Sequence, residues 1–134
     1  NRILIIEDEI NLQQVFQRIL SLEGYGVKTA DNGVKGYEAY CTFRPDVVLC
    51  DLIMPQMNGL ELGAEIRKLN PQVKIIYMSG FLEIDSLRNR LEKDVIKYGY
   101  YTLGKPFKPS LLLEVLRDYL ELDKGERKSF HVVV

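Results

Sequence analysis

Short apolar runs alternate with helix-spaced apolar positions along most of this chain. Ile3-Leu4-Ile5-Ile6 is rich in β-branched residues and stops at Glu7-Asp8, which predicts a first strand. Leu12, Val15, Phe16, Ile19 and Leu20 follow at helical spacing, up to Gly24-Tyr25-Gly26. Val27-Lys28-Thr29-Ala30 alternates apolar with polar and reads as a weaker strand. Asp31-Asn32-Gly33 is a turn signal. Val34, Tyr37 and Cys41 share one face of a second helix, which ends before Pro45. Val47-Val48-Leu49-Cys50 is a buried strand that stops at Asp51. A loop over 55–59 leads into a third helix from about Leu60 to Leu69, closed by Asn70-Pro71. Val73 to Met78 is a strand running into Ser79-Gly80. Ile84, Leu87, Leu91 and Val95 mark a fourth helix. Tyr100 to Leu103 is a fifth strand, stopping at Gly104-Lys105-Pro106. Leu112, Val115, Leu116 and Tyr119 mark a last helix, with Pro109 suited to its first turn.

Five strands and five helices in strict alternation imply an α/β fold, a parallel sheet with helices on both faces. The flavodoxin-like, doubly wound arrangement orders such strands 2-1-3-4-5. Continuous apolar runs belong in the centre, so the alternating second strand belongs at an edge. Residues 1–121 form one domain on this reading. Residues 122–134 are a C-terminal tail: a linker stub, a helix extension or a disordered end.

Composition narrows the class. The 134 residues suit a single core. Hydrophobic residues make up 46% and charged residues 28%, as in soluble globular proteins. Lys and Arg number 18 against 19 Asp and Glu, a net charge of -1, so the overall field of a nucleic-acid binder is missing. Only a local basic patch stays open. Cys41 and Cys50 form no CxxC pair, and Cys50 sits in an apolar run as a structural thiol. No apolar stretch reaches membrane-spanning length, and the N-terminus lacks a secretion-signal layout. The expectation is a cytoplasmic protein.

In open parallel sheets ligands bind beyond the carboxyl ends of the strands, where strand order reverses. The first strand ends in Glu7-Asp8, the third in Asp51, the fourth in Ser79 and the fifth in Lys105. Singly, each has an ordinary explanation. Asp8 can cap the following helix, Asp51 and Ser79-Gly80 can be turn residues, and Lys105 can be a solvated lysine. Four strand ends delivering three acids, a hydroxyl and an amine to one rim are harder to explain that way. Crowded carboxylates repel one another, and a hard cation such as Mg²⁺ relieves this. A carboxylate can attack phosphorus, with metal and lysine balancing the charge. The inventory suits an aspartyl phosphate better than a Ser-His-Asp triad, because the one histidine, His131, lies in the tail. No Gly-rich phosphate loop follows the first strand.

Four segments resemble the receiver domain of bacterial two-component response regulators. They are Ile3-Leu4-Ile5-Ile6-Glu7-Asp8-Glu9, the stretch from Pro45 through Asp51 to Gly59, Ser79-Gly80, and Lys105-Pro106-Phe107. The resemblance implies a role for each residue. Asp51 accepts a phosphoryl group from a sensor histidine kinase or a phosphotransfer protein. Glu7, Asp8, Asp51 and the backbone carbonyl of Ile53 hold Mg²⁺. Ser79 and Lys105 meet the phosphoryl oxygens, and the Lys105-Pro106 bond is cis. Pro55 and Gly59 shape the loop beside Asp51. A homodimer is among the assemblies it allows.

Two departures stand out. Thr102 occupies a position where the family has an inward-turning aromatic, with Tyr101 beside it. Residues 79–105 also span more than the family's usual length, and the excess is expected near 91–99, between the fourth helix and fifth strand. Two rival readings remain. A Mg²⁺-dependent phosphatase with an aspartate nucleophile would want a second acid at position 53, where Ile53 stands. A receiver-like module that only binds partners would not need Asp51, Asp8 and Lys105 intact.

Overall fold

Strand ends and helix caps build the frame in the expected sequence. The computed structural model describes residues 1–80, 85–122 and 131–133. Its elements are β1 (Arg2–Ile6), α1 (Ile10–Leu22), β2 (Gly26–Ala30), α2 (Gly33–Phe43), β3 (Val47–Asp51), α3 (Gly59–Leu69), β4 (Ile75–Ser79), α4 (Asp85–Tyr98), β5 (Tyr101–Gly104), α5 (Pro109–Glu121) and β6 (His131–Val133). The sheet is parallel throughout, in the order β2-β1-β3-β4-β5-β6. The first five strands thus take the 2-1-3-4-5 order, with the alternating β2 at one edge. Ile84, expected in the fourth helix, lies outside the described residues.

Alternation along each strand splits the core in two. Leu4, Ile6, Val48, Cys50, Ile75 and Tyr77 face α2, α3 and α4. Ile3, Ile5, Val47, Leu49, Ile76 and Met78 face α1 and α5. Strands buried on both faces are the continuous apolar runs, as parallel sheets require.

Three features depart from the sequence reading. In α2 the buried positions are Gly33, Gly36, Ala39 and Tyr40, whereas Val34 is 56% exposed and Cys41 is exposed. Small residues set that face because the helix lies close on β1. A Cβ on Gly36 would stand 2.8 Å from Ile6 Cδ1. Second, residues 91–98 lengthen α4 instead of its connection to β5. Gly99, at φ 71°, ends the helix with its N–H bonded to Val95 O. Third, His131–Val133 add a sixth strand beside β5.

The carboxyl-terminal half of α4 is clamped to α3. Arg67 lies over the Tyr98 ring at 4.0 Å, donates to the Tyr100 hydroxyl at 3.2 Å and approaches Asp94 at 3.8 Å. The amino end of α3 is set by a capping box, in which Asn58 and Glu61 each accept from the other's backbone N–H.

Tyr77 is fully buried on β4, edge-on to Tyr100, and its hydroxyl has no hydrogen-bond partner among the described residues. Gly63 of α3 makes room for it, since a Cβ there would overlap that hydroxyl. An unpaired buried hydroxyl is destabilising, so Tyr77→Phe is expected to raise stability by about 1 kcal/mol. Urea unfolding checks this, and an unchanged or lowered midpoint would count against it.

Candidate functional site

The register of the strands lines up the polar ends. Ile6 lies beside Cys50, so Glu7 leaves β1 next to Asp51, the last residue of β3. Asp51 is paired with Met78, and Ser79, the last residue of β4, with Gly104. Lys105 follows directly. The five candidates therefore reach one rim of the sheet.

Lys105 holds the centre together. Its Nζ lies 2.7 Å from Glu7 Oε1 and 3.3 Å from Asp51 Oδ2. Glu7 is fully buried, Asp51 is 7% exposed and Lys105 is half-buried. The other Glu7 oxygen accepts the Glu9 N–H at 3.2 Å. Carboxylate oxygens of Glu7, Asp8 and Asp51 all lie within 4.8 Å of one another. Burial raises the Glu7 pKa above the ordinary glutamate value, and the Asp51 charge adds to this against the pull of Lys105. Desolvation and the neighbouring Glu7 likewise raise Asp8. Burial works against the Lys105 ammonium, but its bond to Glu7 and the charge of Asp51 prevail and hold its pKa above the usual lysine value. One lysine thus serves two buried acids, and a third acid stands beside them. That arrangement offers oxygen ligands to a hard divalent cation.

The capping explanation for Asp8 does not hold. The N-cap of α1 is Glu9, and it has no side-chain capping bond. Asp8 is exposed and its carboxylate turns to the acid cluster. Gln13, on the buried face of α1, does part of the stapling instead. Its amide donates to Glu7 O at 3.0 Å and Ala30 O at 3.2 Å, fixing the end of β1 under the site. A lone polar residue at a core-facing helix position was the signal for it.

The loop after β3 is held tightly. Gly59 N–H donates to Leu52 O at 2.7 Å and Leu52 N–H to Met78 O at 2.8 Å. Gln56 takes a left-handed backbone, φ 72°. Ile53 is exposed in this loop, two residues beyond Asp51. Lys105-Pro106 is cis. Burial pushes the Cys50 thiol pKa up, in keeping with an inert structural cysteine. His131 pairs with Tyr101, at the end of β5 away from Lys105.

β5 is regular at the two residues left open by sequence. Thr102 is paired with Tyr77 and shares its face of the sheet, whereas Tyr101 packs in the core on the α5 side and donates to Asp118. No bulge carries Tyr101 across.

The family model described as "Response regulator receiver domain" matches residues 3–117. The chain belongs to this family. It is 34% identical over 117 residues to the chemotaxis protein CheY of Thermotoga maritima, covering 86% of this chain and 93% of that one. It is 28% identical to the regulatory protein AtoC of Escherichia coli over 98% of this chain, but spans only 28% of AtoC. A CheY-like receiver domain structure from Methanospirillum hungatei superposes with a TM-score of 0.79 at 28% identity, over 90% of this chain and 94% of that one. The receiver fold thus accounts for β1 to β5 and the helices between them. Among the described residues, no helix of this receiver domain is long and apolar enough to cross a membrane.

Proposed function

We propose that the chain is the phosphoacceptor of a two-component pathway, with Asp51 taking a phosphoryl group from a sensor histidine kinase or a phosphotransfer protein and so changing its partner interactions. One observation carries the reading: Asp51 lies beside a lysine shared with Glu7, in a cluster of three carboxylates. A purely structural lysine–acid pair would need no third acid. Glu7, Asp8, Asp51 and the Ile53 carbonyl are the groups that would hold Mg²⁺. Burial first and the neighbouring acids second raise the Glu7 and Asp8 carboxyls, and a cation held there would offset both. Bound there, Mg²⁺ supplies positive charge to the acids and to the phosphoryl oxygens.

The rest of the chemistry falls to the chain itself. An Asp51 carboxylate oxygen forms the new bond to phosphorus as the P–N bond to the donor imidazole breaks. The electron pair leaves on the imidazole nitrogen, which takes up a proton. Lys105 turns from Glu7 toward the new phosphoryl oxygens, and the Ser79 hydroxyl donates to one of them. Attack of water on phosphorus breaks the O–P bond to Asp51, releases inorganic phosphate and restores the carboxylate. On this reading the chain is no enzyme for a separate substrate, at most phosphorylating and dephosphorylating itself. It works in the cytoplasm without touching nucleic acid directly, and a homodimer is one partner state.

The test is mass spectrometry after incubation with Mg²⁺ and acetyl phosphate, and then with a cognate kinase. A gain of one phosphoryl group is expected, lost in Asp51→Asn and on removal of Mg²⁺ with a chelator. No gain from either donor would overturn the reading in favour of a partner-binding module. Multiple turnover on a phosphorylated substrate would favour the phosphatase, which Ile53 leaves without a second acid.

A further inference from the structure

β5 connects the site to the edge of the sheet. At its carboxyl end Lys105 grips Glu7 and Asp51, and the Lys105 N–H donates to Ser79 O at 2.7 Å. Along its outer edge Tyr101, Thr102 and Leu103 pair with His131, Val132 and Val133. Among the described residues three positions pair β6 with β5, against five pairing β2 with β1 at the opposite edge. A strand that short has little reserve, and a small shift of its neighbour suffices to unpair it.

Thr102 gives this pairing a purpose. It is the central partner of β6, and it carries no aromatic ring to turn inward. Its neighbour Tyr101 is fastened in the opposite core by Asp118 and Tyr119. The side chains of β5 therefore offer no rotating aromatic beside Ser79, and among the described residues the edge of β5 is a route outward from Lys105.

Resting on the phosphoacceptor reading above, we infer that β6 is the readout strand of this chain: phosphorylation of Asp51 draws Lys105 off Glu7, shifts the end of β5 and releases β6. Because β6 is paired in the unmodified protein, release is the change open to it. Release bares backbone N–H and C=O groups of β5 to an incoming extended strand, as unpaired sheet edges do.

Hydrogen exchange of the whole chain, read beside its intact mass with and without acetyl phosphate and Mg²⁺, tests this. Phosphorylated protein should exchange about tenfold faster at Val132, Val133 and the β5 amides facing them, while β1 and β3 stay protected. A mass gain with unchanged exchange at these amides would overturn the inference and leave the phosphoacceptor reading standing. Absence of any mass gain would overturn both. Linkage supplies a second reading, because coupling between two equilibria is reciprocal. Val132→Pro, outside the site, should free β6 without phosphorylation and raise the affinity for beryllofluoride, a reversible phosphoryl mimic, several-fold. Unchanged affinity with β6 freed would refute the coupling.

Discussion

Lys105→Ala is expected to destabilise the protein by about 3 kcal/mol at neutral pH, as when one partner of a buried ion pair is removed. Glu7 is fully buried, and Lys105 is the cation bonded to it at 2.7 Å. Without Lys105, a buried carboxylate is left facing Asp51. The pH dependence has a definite sign. Burial already raises the Glu7 pKa, and losing the lysine, which pulls it down, raises it further. A carboxyl whose folded pKa exceeds its unfolded value stabilises the folded state when protonated and loses that stabilisation as pH rises through the folded pKa. The gap between variant and wild type should therefore narrow as pH falls. Urea unfolding at several pH values measures it. Glu7→Gln in the same chain should restore most of the loss, and a double variant no more stable than Lys105→Ala would refute the account.

Gly59→Ala is the second large effect, near 2 kcal/mol of destabilisation together with loss of phosphoryl acceptance, on the order expected for overpacking a tight site. The added Cβ would stand 2.6 Å from the Asp51 carbonyl oxygen and 3.1 Å from Leu52 Cα. Both are backbone atoms at the end of β3, and neither can swing aside. The ladder to Met78 and the bond from Gly59 to Leu52 hold them. Alanine's higher helix propensity returns only about 1 kcal/mol. To escape the clash, β3 must shift at Asp51 itself. Unfolding gives the stability, and the intact mass after acetyl phosphate gives the acceptance. Wild-type values for both would show that the loop has slack.

The sequence carried the frame because frame and pattern share one cause. β1 and β3 are buried on both faces, so each reads as an unbroken apolar run, and polar residues mark where each stops. Those stops are Glu7, Asp8 and Asp51. What periodicity cannot convey is distance. The buried face of α2 is written in Gly36 and Ala39, whose lack of bulk lets the helix approach Ile6, while the larger Val34 lies outside. The extra residues before β5 were visible, but the contact that ties their end to α3, Arg67 over Tyr98 31 positions away, exists only in the folded chain. Gln13 binds two carbonyls that only the folded sheet brings together. The pairing of β6 depends on the open edge of β5, which no local pattern reveals.

That Arg67 clamp has a mechanical consequence. The 14 residues of α4 make a rod about 20 Å long, fastened near Asp94 and Tyr98. Leu87, Leu91 and Val95 are buried along the same rod, so α4 is seated on the core over its length as well as tied to α3 at its carboxyl end. Arg67 thus joins two neighbouring helices into one unit, and trimming a turn from α4 would remove part of its seat on the core.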